Sequence, residues 1–221
     1  MDSLLVAAAL LGLTHAVEPD HVAGIAALAS DASRRRAALV GGCFATGHVV
    51  LVLGWVLLGS VVLSRLPATA AFDRFGGLVL GVVLLAVAAL TAVAGARRLR
   101  GHGSHTHVHA RLGLTATDGG RRGVREYLGL GVAGALFTLS PPLSMLALVT
   151  ALLPTATLGG VLLAVLAYAV GILLAMTVVG AVAGTLFGAL EGYGTRLHAG
   201  AQFLAAGVLA VIGAGALMGG V

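Results

Sequence analysis

Seven residues in the first apolar stretch, His15-Ala16-Val17-Glu18-Pro19-Asp20-His21, hold four ionisable side chains. Charged groups near the centre of a bilayer cost at least about 2.5–3.5 kcal/mol each on insertion scales. Four of them in an otherwise apolar run therefore imply a compensating use. At about 100° per residue, an unbroken helix would place His15, Glu18 and His21 within an arc of about 120°, with Asp20 pointing away. Pro19 should distort this stretch and can turn Asp20 towards the others. Imidazole and carboxylate together suit divalent first-row metals such as nickel, cobalt and zinc, whereas magnesium and calcium prefer all-oxygen sites. The same residues could also form a buried ion-pair network or a proton relay. The stretch contains no fixed cation to balance its two carboxylates, which favours the metal site. His48, in Gly47-His48-Val49-Val50, is a further candidate ligand on the next apolar run, five residues after Cys43.

A second group of histidines, His102, His105, His107 and His109, alternates through residues 101–109. Such a glycine-containing tract can collect divalent metal weakly. Its expected role is auxiliary buffering, apart from the main site.

The elements that must position these residues are apolar. Hydrophobic residues make up 59% of the chain before its 34 glycines are counted, only 10% is charged, and mean hydropathy is +1.06. A soluble domain has about 45–50% apolar residues, glycine included, and about 25% charged. The lipid bilayer must therefore be part of this chain's solvent. A span needs about 20 apolar residues, which gives six: Leu4–Ala29, Ala37–Leu63, Phe75–Ala96, Tyr127–Leu153, Leu158–Phe187 and Ala199–Met218. Backbone groups in lipid must pair within their own segment, so the expected fold class is all-α, a single polytopic transmembrane domain. The amino-terminal Met1-Asp2-Ser3 lacks a positive n-region, so the first run is expected to be mature structure. All thirteen basic residues are arginine, and eleven fall in the loops after the first, third and fifth spans, against two in the loop after the second. This bias places the odd loops in the cytoplasm and both termini outside, and reads as topology signalling with no nucleic-acid partner.

Six spans divide into two sets of three that would cross the membrane in opposite directions. The first repeat covers residues 1–96, a cytoplasmic His/Arg-rich loop 97–126, and the second repeat 127–221. Phe44-Ala45-Thr46-Gly47-His48-Val49 lies over Tyr168-Ala169-Val170-Gly171-Ile172-Leu173, at an offset of 124. Residues Gly12 to Pro19 lie over Gly134 to Pro141, at an offset of 122. Inverted repeats with interrupted helices point to a site near the bilayer midplane. The break opposite the histidine cluster comprises Thr138, Ser140, Pro141 and Pro142.

The H-x4-D-H pattern of His15, Asp20 and His21 resembles the signature of the nickel/cobalt transporter superfamily. Glu18 stands where many members carry aspartate. Pro19 replaces a small residue, which looks more like the shorter six-helix branch, and Gly47-His48 resembles the Gly-His pair of that family's next helix. The resemblance implies a secondary transporter of Ni²⁺ or Co²⁺ in a prokaryotic-type inner (plasma) membrane. Its metal ligands would be His15, Glu18, Asp20, His21 and His48, with the ion as transported ligand and no permanently bound cofactor. Two further readings are an accessory protein delivering nickel to urease or hydrogenase maturation, and a metal efflux permease. An oligomer or a metallochaperone partner is left open. Enzymatic roles are disfavoured, because a single cysteine cannot run a dithiol relay and there is no H-E-x-x-H or G-x4-G-K-[ST] sequence.

Overall fold

A computed structural model of the chain describes residues 2–62, 70–100, 124–138 and 157–218, with Met145, Leu148 and Leu152 as isolated positions. The described residues fold into seven helices and contain no strand: α1 (Asp2–Ala16), α2 (Pro19–Ala29), α3 (Arg34–Val62), α4 (Ala70–Leu99), α5 (Val124–Leu136), α6 (Leu158–Tyr193) and α7 (Thr195–Leu217). The four loop histidines and Ser140, Pro141 and Pro142 lie outside the described residues.

Among the described residues, four helices carry stretches long and apolar enough to cross a membrane: Arg34–Trp55 in α3, Gly77–Leu99 in α4, Gly159–Tyr193 in α6 and Thr195–Leu217 in α7. Their outer surfaces match that solvent. On α6, Leu166, Val170, Leu174, Val178, Val182 and Leu186 follow one another at four-residue spacing, and each is more than half exposed. A stripe of that length has no place in water. The opposite faces meet the bundle, as in α7, where His198, Gln202, Ala206, Leu209, Gly213 and Ala216 are all buried.

The first apolar run is not one helix. α1 ends after 15 residues and α2 contributes another 11. Steric conflict with the Pro19 ring pushes the preceding residue into extended backbone, and Glu18 has φ −58° and ψ 146°. Pro19 then occupies the first position of α2, where its missing N–H would have had no partner anyway. The Val17 and Glu18 amides turn back onto the carbonyls of Thr14 (3.3 Å) and His15 (3.1 Å), which closes α1. α5 stops in the same manner after 13 residues, with the Thr138 amide donating to the Ala135 carbonyl at 2.9 Å.

α3 packs on both α5 and α6, α1 on α6, and α4 along α7. Glycine sets the closest of these crossings. A Cβ on Gly12 of α1 would strike the Tyr168 carbonyl of α6, and one on Gly171 of α6 would strike the Ala9 carbonyl of α1. A Cβ on Gly134 of α5 would strike the Phe44 carbonyl of α3, and one on Gly47 of α3 would strike the Gly131 carbonyl of α5. Small residues let helix backbones approach closely in lipid, where dispersion contacts must hold them. These two crossings bring the α1–α2 break, the middle of α3 and the end of α5 to one place.

Candidate metal centre

His15 is on the inner face of α1, which buries Ala8, Gly12, His15 and Ala16. His21 lies in the first turn of α2, and the Gly47–Gly131 contact presses His48 of α3 towards both. The three rings are 6%, 2% and 1% exposed. Their centroids are 4.9 Å apart for His15–His21 and His21–His48, and 5.4 Å for His15–His48. Each offers a ring nitrogen within 4.8 Å of the others, a grouping that can hold a metal ion.

The ring polarities follow from their partners. His15 Nδ1 lies 2.9 Å from Glu18 Oε1. An ionised carboxylate only accepts, so Nδ1 carries a hydrogen, and in the neutral ring Nε2 keeps its lone pair. For His48, Nδ1 meets Thr138 Oγ1 in a short contact, and that hydroxyl donates its one hydrogen to the Gly134 carbonyl at 3.2 Å. With that bond made, the hydroxyl accepts from His48 Nδ1–H, and in the neutral ring Nε2 again keeps its lone pair. Trp55 Nε1–H donates to the Thr138 carbonyl at 2.9 Å and pins this turn to α3. The two Nε2 atoms are 3.2 Å apart. Two lone pairs facing each other at that distance in a buried site repel unless a cation shares them.

His21 completes the set. Its Nδ1 lies 2.9 Å from Asp20 Oδ1 and 4.0 Å from Glu18 Oε2. The His21 ring nitrogens make no well-formed hydrogen bond beyond this close contact with Asp20. A buried ring nitrogen without a hydrogen bond is costly, and ligation removes that cost. Glu18 and Asp20 also group with His21 as a second set of donors within 4.8 Å of one another. Glu18 is the most exposed member, at 49%, against 17% for Asp20.

No family model, curated protein or solved structure matches this chain.

All five main candidates thus come together in one place, in two layers. The histidines form the inner layer, while Glu18 holds the His15 ring from behind, as carboxylates do for metal-bound histidines, and Asp20 lies in ion-pair contact with His21. Asp20 does turn towards the others, because α2 starts afresh at Pro19 instead of continuing the α1 screw. Thr138 proves closer to the chemistry than a helix break, with its hydroxyl on His48. Ser140, Pro141, Pro142, His102, His105, His107 and His109 are outside the described residues. Sequence reading missed the aromatic walls. Tyr168 stacks over His15 at 6.0 Å, and Phe44 and Phe137 border His21 at 6.5 and 6.3 Å. Phe44 and Tyr168 are matched positions in the two sequence segments that align at an offset of 124, and that match was the available signal.

Proposed function

We propose that this chain is a multi-pass membrane transporter of a divalent transition-metal ion, nickel or cobalt, which binds at His15, His21 and His48. The observation that carries the reading is the pair of Nε2 atoms 3.2 Å apart, each ring held through its other nitrogen by Glu18 or Thr138. Neutral imidazole is the ligand form of histidine, and three such nitrogens leave positions open for carboxylate or water. Glu18, half exposed beside the site, is placed to receive the ion from solvent and hand it inward. The H-x4-D-H resemblance to nickel/cobalt transporters points the same way.

The transport reading includes six spans arranged as a 3+3 inverted repeat. On this reading α1 with α2 forms one broken span, α5 begins another, and both termini lie outside a prokaryotic-type inner membrane. Reciprocal packing supports the repeat. Gly12 meets Tyr168, and the matched pair Gly134 and Phe44 meet in the same way. Gly171 meets Ala9, while Gly47 meets Gly131. At offsets of 122 and 124 these two sets of contacts exchange with one another. Equivalent halves around a buried site are the usual basis of alternating access.

The test is metal flux into liposomes containing the purified full chain, run with Ni²⁺, Co²⁺, Zn²⁺ and Mn²⁺ in both directions. Flux of Ni²⁺ or Co²⁺ that is lost in His15→Ala and His21→Ala is the expected result. Flux of no divalent cation would end the reading, and full flux in both variants would move the site elsewhere. The same assay reports import or export.

A further inference from the structure

A second buried histidine lies at the other end of α2. His198, near the start of α7, has a side chain 1% exposed, and neither ring nitrogen makes a hydrogen bond to a side chain. Its Nε2 faces Asp31 Oδ1 at 3.8 Å, and its Nδ1 faces Glu191 Oε1 at 3.9 Å. Asp31 follows α2, and Glu191 lies in the last turn of α6. Arg98, at the end of α4, contacts the same two oxygens, with Nη2 2.5 Å from Asp31 Oδ1 and Nη1 3.1 Å from Glu191 Oε1. The Phe187 ring of α6 flanks the imidazole at 5.2 Å. Gln202, one turn along α7, donates to Ser30 Oγ at 3.2 Å and reaches Asp31 at 3.4 Å, while its Oε1 is buried without a partner.

The ring geometry selects a ligand. Either neutral tautomer has one N–H and one lone pair, so one carboxylate would face a lone pair. Only the imidazolium presents a donor at both ends. Among the groups in contact, Asp31 and Glu191 outnumber Arg98 by one, and a proton on His198 balances them; Arg34 lines the cleft beside them. A route to solvent is present, because Asp31 and Glu191 line a cleft of about 410 Å³ with Ser30, Ser33, Arg34 and Thr185. The site is separate from the three-histidine cluster. The residues of α2 between them span about 15 Å at 1.5 Å rise each.

We propose that His198 is a proton-binding site of this protein, in which the proton competes with Arg98 for the Asp31 and Glu191 oxygens. When His198 is neutral, Arg98 ties the end of α4 to the end of α6 and to the turn after α2. When it is protonated, those oxygens turn to α7 and the tie through Arg98 loosens. The helices joined here include α2, which carries His21 at its far end, so the proton state of His198 bears on the metal centre through one short rigid helix. That last step rests on the transport reading above.

Two measurements test this. In the full chain in nanodiscs, labelled with ¹⁵N-histidine, the ring signals that disappear in His198→Gln or His198→Asn belong to His198. Between about pH 8 and pH 5, the range in which histidine changes charge, both ring nitrogens are expected to move to the imidazolium position. In Arg98→Gln, the imidazolium form should persist to higher pH. A neutral tautomer down to the lowest pH overturns the proton site. In liposomes, His198→Gln is expected to shift the dependence of metal flux on an imposed proton gradient away from the wild-type profile, beyond the acid weakening of the metal site itself, and a profile identical to wild type overturns the coupling. If the wild-type chain carries no metal, the transport reading fails, while the nitrogen signals still decide the proton site.

Discussion

The Nε2 atoms of His15 and His48 lie 3.2 Å apart although the residues are 33 positions apart, and each ring's other nitrogen is already held, by Glu18 or by Thr138. The relationship fixes more than proximity. It aims two lone pairs from different helices at one point, which the third histidine also borders. Three of the predictions below test consequences of that aim.

Thr138 should matter for metal binding without touching the metal. Thr138→Val keeps the side-chain shape but removes the acceptor for His48 Nδ1–H. The buried donor is then unpaired, at a cost of about 1–3 kcal/mol, and the ring is free to change tautomer. Nickel affinity of the purified protein, measured by calorimetry, is expected to fall about 10–100-fold, the usual range for losing such a partner. Thr138→Ser should recover most of it. Unchanged affinity in Thr138→Val would mean the hydroxyl does not set the ring.

Metal binding should weaken on acidification, with proton release appearing as the pH falls. Ligation needs the nitrogen lone pairs, so protons and metal compete for the same atoms. The sign is fixed: lower pH means lower affinity, by up to about tenfold per pH unit for each proton displaced. Calorimetry in buffers of different ionisation enthalpy counts the protons. Affinity that rises with acidity would contradict a histidine site.

The glycine crossings should be intolerant of even one methyl group. Gly47→Ala drives a Cβ into the Gly131 carbonyl, while Gly54 on the same helix has open space around it. Alanine gains up to about 1 kcal/mol over glycine in a helix interior. Overpacking costs about 1–3 kcal/mol. A lower melting temperature is therefore expected for Gly47→Ala, with no loss for Gly54→Ala, as read by size-exclusion after heating. Equal behaviour of the two variants would remove the close crossing from the account of how His48 reaches the cluster.

Deleting residues 101–110 removes all four loop histidines. If they act as a metal buffer, flux at saturating metal should survive the deletion, with a loss confined to low metal concentration. Complete loss of flux would assign them to the transport path.

Much of this protein is local, and the local part was legible in the sequence. The membrane class follows from composition, because no water-soluble packing could hide so much apolar surface. The grouping of His15, Glu18, Asp20 and His21 lies within seven residues, so helix periodicity and one proline nearly specify it. Even there Asp20 needed the structure, since whether Pro19 kinks α1 or starts a new helix decides where the carboxylate points.

The remaining relationships are set at a distance. His48 joins His15 across 33 residues, Thr138 reaches His48 across 90, and Arg98 spans 67 and 93 residues to Asp31 and Glu191. His198 carried no motif that could single it out. Sequence by itself determined the apolar, all-helical character of the chain, the break at Pro19 and the grouping of the first cluster's donors, because each depends on residues within a few turns of one another. Only tertiary structure decided which nitrogens face each other and which carboxylates His198 meets. Those outcomes depend on how closely the helices cross, and the glycine contacts of α1 with α6 and of α3 with α5 settle that distance through backbone sterics that no local pattern records.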